Sequence, residues 1–570
     1  MDEEQKVREA AAEIAGELLI SGEAAAENLN AIKKRVCTRL GLSRYLTNVE
    51  ILSLIPEDKR EALKPILQRK PVRTLSGVSV VAIMTAPFRC PHGRCAYCPG
   101  GPSSEFGDVP QSYTGREPAA MRAINCNYDP YLQVMNRLEQ YCAAGHLPEK
   151  VELIIMGGTF PSLERQYKEK FITYAFKAMN DFSKEFYKGG IFSTERFNSF
   201  FEMPSSIKDK QRTDRIRSKL LEMKGSSTLE EEQLFNEESS KIRCVALCIE
   251  TRPDFCGKDD INEMLRFGTT RVELGVQSVY DDVLRRVRRG HGVDEVKRAT
   301  ALLKDSFLKV GYHIMPGLPG SNREMDIEMF RELFTNPDFM PDNLKIYPCM
   351  VLKGTELYQE WKTGRYAPLT ADEAAEIIAE GKRYVPEWCR IMRVQRDIPT
   401  KFTEAGVEIT NLRQLVHDKM HRAGIKCRCI RCREARTFKY DPAGLRLRRT
   451  DYKASGGTEV FIQAEDINSD VMFGFVRLRI PRSPFRQEIL PESAGIRELH
   501  VYGKSMRLGE KKAGAVQHSG IGKMLMAEAE RVASEEFGAK HIYVIAGVGV
   551  REYYKKLGYY KAGAYMRKDL

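Results

Sequence analysis

The sequence predicts an α/β chain of several domains: a partial (β/α)6 barrel, a separate C-terminal α/β domain, a small helical module in front, and a zinc-binding linker joining the larger parts. Three observations predict this. Between residues 76 and 369 six short apolar runs, at 78–84, 151–156, 243–250, 270–276, 309–315 and 344–347, alternate with amphipathic stretches such as 119–142, 163–180, 293–303 and 323–334. Repeated strand–helix units build a parallel sheet with right-handed crossovers. Residues 441–570 show a different pattern, strand-like runs at 459–464, 472–480, 495–502 and 541–545 around one glycine-rich helix start. Residues 1–75 carry helical spacing and no strand signal.

Composition limits the function classes. A hydrophobic content of 42%, with no apolar run near the roughly 20 residues of a membrane span, argues against a membrane-spanning helix. The acidic start Met1-Asp2-Glu3-Glu4 is no secretory signal. Nine of the fourteen cysteines fall in clusters (90/95/98, 244/248/256, 427/429/432), which predicts a reducing, cytoplasmic location and metal ligation over disulfides. A net charge of +12 predicts a polyanionic partner, with a solvated basic surface as the plainer alternative.

The first 29 residues are acidic and alanine-rich; from residue 30 to 75 the balance turns basic, with Lys33, Lys34, Arg35 and Arg39 leading the run. Such a face grips phosphates and reads sequence poorly.

After the first barrel strand comes Cys90-Pro91-His92-Gly93-Arg94-Cys95-Ala96-Tyr97-Cys98. Three thiolates on one loop can hold three irons of a four-iron cubane and leave the fourth open. A zinc knuckle with His92 as fourth ligand, or three unrelated buried cysteines, are the alternatives. Barrel chemistry gathers at the C-terminal ends of strands. There the sequence places Gly157 and Gly158, Glu250, Gln277 and His313. The insertion 183–242 reads as polar surface helices, and Arg285-Arg286-Val287-Arg288-Arg289 as a phosphate contact near the rim.

The linker, 370–440, holds a basic strand-like run at 390–396 and then Lys426-Cys427-Arg428-Cys429-Ile430-Arg431-Cys432. Three cysteines in six residues predict zinc, with Cys389, His417 and His421 as candidates for a fourth ligand. In the last domain Gln517-His518-Ser519-Gly520-Ile521-Gly522-Lys523 opens a helix, where backbone N–H groups and the helix dipole can hold a pyrophosphate.

Two resemblances follow from these residues. Cys90, Cys95 and Cys98, spaced four then two where three then two is usual, resemble the ligands of radical S-adenosylmethionine enzymes. The segments 517–522 and 553–559 resemble GCN5-related N-acetyltransferases. Together, and with Cys95-Ala96-Tyr97-Cys98-Pro99-Gly100-Gly101-Pro102, Gln111-Ser112-Tyr113-Thr114-Gly115, Ile249-Glu250-Thr251-Arg252-Pro253-Asp254, Val394-Gln395-Arg396-Asp397 and Arg497-Glu498-Leu499-His500-Val501-Tyr502, the chain resembles the family of Elongator catalytic subunits, the tRNA carboxymethyluridine synthases, over nearly its whole length.

The resemblance implies a radical S-adenosylmethionine barrel and an acetyltransferase-like domain. It implies a 4Fe-4S cluster on Cys90, Cys95 and Cys98, and S-adenosylmethionine held with help from Gly157, Gly158, Glu250, Gln277 and His313. It implies acetyl-CoA held by Lys150, Leu499, His500, Val501, Tyr502, Gln517, Gly520, Gly522, Lys523, Met524, Tyr553 and Tyr554. Tyr553 and Tyr554 are the implied candidates to protonate the departing thiolate or meet the pantetheine, the alternative being that one of them is core. Lys150 starts the second strand, at the end of the barrel opposite the cluster. The implied reaction adds a radical formed on the methyl of acetyl-CoA to C5 of wobble uridine 34, and thioester hydrolysis leaves a carboxymethyl group. The partners implied are the anticodon stem-loop, gripped by Lys33, Lys34, Arg35, Arg39, Arg393, Arg396, Lys426 and Arg431, an electron donor, and a second copy or Elongator-like accessory subunits. Three other readings compete: a protein lysine acetyltransferase with a structural iron–sulfur domain, a radical enzyme adding another group to RNA, and an RNA-binding assembly subunit.

Overall fold

Seven parallel strands, paired in chain order, form the sheet that carries the cysteine loop. They are β1 (Val78–Met84), β2 (Lys150–Met156), β3 (Arg243–Thr251), β4 (Arg271–Gln277), β5 (Lys309–Ile314), β6 (Asn343–Ile346) and β7 (Arg390–Arg393). The computed structural model describes residues 3–21, 24–42, 45–46, 48–56, 59, 62–63, 66–67, 77–203, 209–435, 438, 444–502 and 520–570. The sequence reading counts six strands. The seventh is the strand-like run of the linker, which joins the barrel sheet: Ile391 is buried and Arg390 is neutralised in place by Glu434 at 2.7 Å.

Strand residues alternate between two faces. One face carries Val151, Leu153, Ile155, Leu247, Ile249, Val272, Leu274, Val310, Tyr312 and Ile314, all buried in the core beneath the helices. The alternate positions place Lys150, Glu152, Cys248, Glu250, Arg271, Glu273, Lys309, His313 and Lys345 on the inner face. This lining is charged, unlike the branched aliphatic layers that usually fill a barrel. Apart from Lys150 at the strand start, its ions are paired: Arg271 lies 2.5 Å from Glu152 and 3.2 Å from Glu273, Lys309 3.4 Å from Glu498, and Lys345 2.8 Å from Glu250.

The N-terminal helices α1 (Glu3–Ser21) and α2 (Ala24–Arg39) bury Ala10, Ala11, Ile14, Ala15 and Leu18 against Ile32, Val36 and Cys37, a core of their own. The 183–242 insertion is more than a solvated surface. Helix α3 (Arg165–Phe186) stacks Phe182 and Phe186 on Phe197 and Phe201, and α4 (Leu229–Glu238) starts with a Thr228–Glu231 capping box.

The C-terminal sheet is β8 (Leu445–Ala454), β9 (Gly457–Asp466), β10 (Val471–Ile480), β11 (Ser493–Val501), β12 (His541–Val544), β13 (Tyr560–Ala562) and β14 (Tyr565–Asp569), in the order β8-β9-β10-β11-β12-β14-β13. Only β11 and β12 pair in parallel, through Ser493–Ile496 alone, whereas β10 follows β11 as far as Val501. Beyond Ile496 the two strands part and leave one edge of β11 open. Helix α5 (Ile521–Arg531) packs across β10 and β11.

This sheet is welded to the barrel's N-terminal end. Arg497 reaches Asp342 at 2.5 Å and Glu459 at 2.9 Å; Arg479 reaches Asp305 at 2.5 Å and Glu459 at 2.9 Å; Lys304 stands 3.5 Å from Asp342. A Cβ on Gly547 would fall 2.1 Å from Val245 O, so the two backbones touch. Glu237 of α4 clasps Arg551 at 3.0 Å and Lys555 at 2.8 Å. Breaking one member of a buried ion network strands its partners. Asp342→Ala is therefore expected to cost about 3–5 kcal/mol, read as a lowered denaturant midpoint. Burial alone would raise the Glu498 carboxyl, but Lys309 and Arg477 hold it down to about 2. Its contribution to stability is then complete above the ordinary carboxylate range and lost as pH falls toward 2, so acid should loosen this interface before neutral or basic pH does.

Candidate active site

The cysteine loop leaves β1 and folds over the C-terminal ends of the strands. Its main chain is pinned on both sides: Ala96 N–H donates to Val287 O and Leu357 N–H to Ala96 O, each at 3.0 Å. The three thiols are free, and Cys95 and Cys98 are buried. Each sulfur faces a polar group. Thr159 Oγ1 is 3.6 Å from Cys90 Sγ, Ser112 N–H donates to Cys98 Sγ at 3.3 Å, and His92 Nε2 and Arg289 Nη1 lie 3.2 and 3.7 Å from Cys95 Sγ. Burial pushes the Cys90 thiol up and that of Cys98 to about 11, so these sulfurs hold their protons until iron displaces them. A zinc ion holding thiolates at about 2.3 Å draws their sulfurs to within about 4 Å of one another. Among the described residues such a grouping occurs at Cys427, Cys429 and Cys432, within 4.8 Å, and not at 90, 95 and 98. Wider spacing, inward donors and a buried arginine suit thiolates that each hold a separate iron of an anionic cluster. His92 bonds a ligand instead of adding a fourth, and burial lowers its imidazole to about 4.

The other rim residues divide. A Cβ on Gly157 (φ 122°) would strike Thr85 Oγ1 at 2.2 Å, so this glycine is demanded by packing. A Cβ on Gly158 (φ 98°) would meet Cys90 Sγ and Gln111 Cβ only at 3.8 Å, ordinary contact, so the packing is looser here and this backbone is the one a ligand can approach. Gln277 also adopts a positive φ of 71° at the end of β4. Glu250 and His313 are brought together, but through two residues that the sequence reading missed: Lys345 binds Glu250 at 2.8 Å and also pairs with Glu273, and His313 Nε2 is 2.9 Å from Glu273 Oε2. The Lys345 ammonium occupies the place where a metal ion would sit among these carboxylates. Its inward position on β6 follows from strand alternation and could have been found that way.

The run 285–289 does not form a free basic patch. Arg286 pairs with Glu360 at 2.7 Å, Arg288 pairs with Glu356, and Arg289 turns inward to Gly275 O and Cys95 Sγ.

A second site forms at the open edge of β11. Gly520 caps α5 with φ 87°, and a Cβ on Gly522 would sit 3.1 Å from Tyr553 Oη and 3.7 Å from Val501 Cγ2. Gly522, Val501 and Tyr553 thus meet, beside Leu499, Met524 and an exposed Lys523. Tyr553 is 37% exposed and Tyr554 only 6%, its ring against Tyr553 and Tyr559, so Tyr553 faces the cleft. His500 and Tyr502 point the other way, toward the barrel: His500 stacks on Phe475, burial lowers its imidazole to about 4, and Tyr502 Oη accepts from Arg390 at 2.9 Å. Gln517 lies outside the described residues. Lys150, half-buried and without an ion-pair partner among the described residues, starts β2 at this same end of the barrel; burial lowers its ammonium pKa. Lys150 pairs with Arg243, against which Gly549 of the C-terminal domain packs, so the end opposite the cluster is the end that the second domain covers.

Of the candidate RNA contacts, Lys33 is not on the basic face. It is 7% exposed and its ammonium bonds Asn48, while Lys34 is exposed. Arg35 and Arg39 pair with Glu17 and Glu13 of α1, and Arg393 with Asp397. Arg396 donates to Ser112 O, Lys426 is exposed with Asp470 at 3.0 Å, and Arg431 is half-buried. At the linker thiols, His417 and the fully buried Cys389 lie electrostatically close to Cys429, and His421 is exposed.

Two outcomes are expected. Cys95→Ala should abolish iron incorporation during anaerobic reconstitution, measured by iron content and visible absorbance, while Cys429→Ala should leave iron unchanged. Gly522→Ala should weaken acetyl-CoA binding by about tenfold or more, about 1.4 kcal/mol, in calorimetry, with an unchanged melting temperature.

Family models match the first three quarters of the chain. Residues 85–333 match the Radical SAM superfamily, 341–422 the Radical SAM C-terminal domain and 7–75 the ELP3 N-terminal domain. The first match implies a 4Fe-4S cluster and S-adenosylmethionine. The chain is 50% identical over 539 residues to the tRNA uridine(34) acetyltransferase of Methanocaldococcus infernus, covering 93% of each. It is 42% identical over 553 residues to Elongator complex protein 3 of Homo sapiens, covering 95% of this chain and 93% of that one. The solved structure of the archaeal Methanocaldococcus infernus Elp3 with an N-terminal deletion (1–46) superposes with a TM-score of 0.70 at 44% identity, over 87% of this chain and 100% of that one. Among the described residues no helix is long and apolar enough to cross a membrane. With this identity over nearly the full length of both chains, the protein belongs to the family of tRNA uridine(34) acetyltransferases and Elongator complex proteins 3.

Proposed function

We propose that this chain is a tRNA-modifying acyltransferase that uses acetyl-CoA and S-adenosylmethionine to place a carboxymethyl group on C5 of wobble uridine 34. The observation that carries the reading is the pairing of two sites across one barrel. Three iron-type thiols close one end of the strands, and buried ion pairs hold the open edge of β11 against the other. The names of the relatives support the substrate.

C5 of uridine is no amine, so ordinary acyl transfer has no route to it; the cluster and S-adenosylmethionine, when bound, supply the radical chemistry that can activate a methyl group. The residues of the chain hold and orient. Cys90, Cys95 and Cys98 would ligate iron, and the Gly158 backbone would approach the methionine part of the cofactor. The N-terminus of α5, opened by Gly520 and Gly522, would hold the pyrophosphate of acetyl-CoA, and the free edge of β11 would pair with the pantetheine amides. Burial raises the Tyr553 phenol, which keeps it protonated and able to give a proton to the departing thiolate. His500, neutral and turned to the barrel, closes the floor between the domains.

A wobble base lies in a single-stranded loop and can be splayed into a pocket at low cost. Lys34, Arg393, Arg396, Lys426 and Arg431 would hold the anticodon stem-loop, with Arg35 and Arg39 exchanging their glutamate partners for phosphates. Zinc on Cys427, Cys429 and Cys432 would staple the segment after β7. A one-electron donor from outside the chain is required.

The test is acetyl-CoA hydrolysis by the full chain, with tRNA, with a lysine-rich peptide, and with neither. Stimulation by tRNA alone, lost on Tyr553→Phe and kept on Tyr554→Phe, is the expected result. Peptide acetylation indifferent to tRNA and to Cys95→Ala would overturn the reading in favour of a protein acetyltransferase.

A further inference from the structure

Residues 110–113 cross the outside of the cysteine loop as a strap, and three consecutive residues each hold a different part of the cluster site. Gln111 Oε1 accepts the Cys90 N–H at 2.6 Å. Ser112 N–H donates to Cys98 Sγ at 3.3 Å. Tyr113 donates its hydroxyl to Glu250 Oε2 at 3.0 Å. Strap and loop are in backbone contact, since a Cβ on Gly100 would fall 2.2 Å from Tyr113 O and 2.4 Å from Pro110 O.

The middle residue is strained. Ser112 has φ 74°, in the left-handed region that a serine occupies only when its surroundings impose it. Two bonds impose it here. On the inside its N–H meets Cys98; on the outside its carbonyl accepts from the guanidinium of Arg396, which arrives from the turn after β7, 284 residues along the chain. Arg393, at the end of β7, is occupied by Asp397, whereas among the described residues Arg396 has no carboxylate partner. A neutral carbonyl is a weaker partner for guanidinium than a phosphate, which binds it through charge-assisted, often paired bonds.

We propose that Ser112 and Arg396 are positioning residues for the iron–sulfur cluster: Arg396 clamps Ser112 in its strained conformation so that its N–H supports Cys98, and a phosphate that captures Arg396 opens the clamp, so that RNA occupancy is felt at the cluster. The coupling rests on the reading of Arg396 as an RNA contact; the clamp does not. An N–H donated to a cluster sulfur stabilises the extra negative charge of the reduced state, and such bonds help to set the reduction potential. Opening the clamp lets Ser112 relax, weakens that bond and moves the potential downward.

The experiment is redox titration of the reconstituted full chain, followed by electron paramagnetic resonance. It is run without RNA and with a saturating anticodon stem-loop whose occupancy is verified by fluorescence anisotropy. In the unmodified chain RNA should shift the midpoint potential to a more negative value. Arg396→Gln should show that lowered value without RNA, and RNA should move it no further. Arg396→Lys, which keeps a cationic donor, should recover part of the RNA-free potential. Ser112→Gly keeps the N–H and removes the strain, so it should retain the RNA-free potential and lose most of the RNA shift. An RNA-free potential unchanged by Arg396→Gln would overturn the clamp. A potential indifferent to RNA at full occupancy would overturn the coupling. Failure of the stem-loop to bind at all would overturn the RNA reading together with the coupling, with the clamp still decided by the RNA-free titrations.

Discussion

The ion pair between Arg497 and Asp342 is the constraint on which the rest of the structure depends. Asp342 precedes β6, and Arg497 sits in β11 where that strand leaves β12. Both are fully buried, and Glu459, Arg479, Asp305 and Lys304 complete a network with little access to water. Buried charges contribute little net stability compared with a well-packed apolar contact, but they tolerate few alternative arrangements. Their effect here is one of placement. They fix the angle at which β11 meets the barrel, and so decide which edge of β11 stays open and which side chains face inward.

The placement explains the charged barrel interior. Because the N-terminal end of the strands is closed by Glu498, His500 and Tyr502 instead of by apolar side chains, Lys309 and Arg390 find partners there. The alternation that brings Lys309 inward also brings His313 inward four residues later, where Glu273 and Lys345 meet it. Between the cluster loop and the β11 edge the barrel interior carries a connected set of ion pairs through Glu152, Arg271, Glu273, Lys345 and Glu250. The N-terminal helices stand apart, with a separate core and a basic face partly covered by the glutamates of α1.

Much of this was legible in the sequence because it rests on period and local chemistry. The strand–helix alternation exposed six strands, and the glycine-flanked cysteine loop and the helix start at Gly520–Gly522 exposed both sites. What escaped has physical reasons. The strand-like character of 390–396 is local, but its place as β7 of the barrel sheet is not, because the Arg390 pairing with Glu434 and its bond to Tyr502 are long-range. β8, Leu445–Ala454, carries charges on a half-buried edge and shows no apolar run. Lys33 was counted as a surface cation because nothing local signals its contact with Asn48. The 183–242 insertion reads as solvated because its charged residues outnumber its phenylalanines, most of which cluster at 186–201 and find their partners only when α3 folds back on them. The inward turn of Arg289 was hidden within a run of arginines whose other members face outward.

If both sites act on one RNA, the acetyl carbons must end on the uridine. The most direct measurement is mass spectrometry of nucleosides from a stem-loop incubated anaerobically with the reconstituted protein, reductant, S-adenosylmethionine and acetyl-CoA carrying carbon-13 in both acetyl carbons. The account predicts both labelled carbons on the wobble uridine as a carboxymethyl group, absent when S-adenosylmethionine is omitted or Cys95 is replaced. Label recovered only as free acetate or on lysine side chains, with the uridine unmodified, would contradict it.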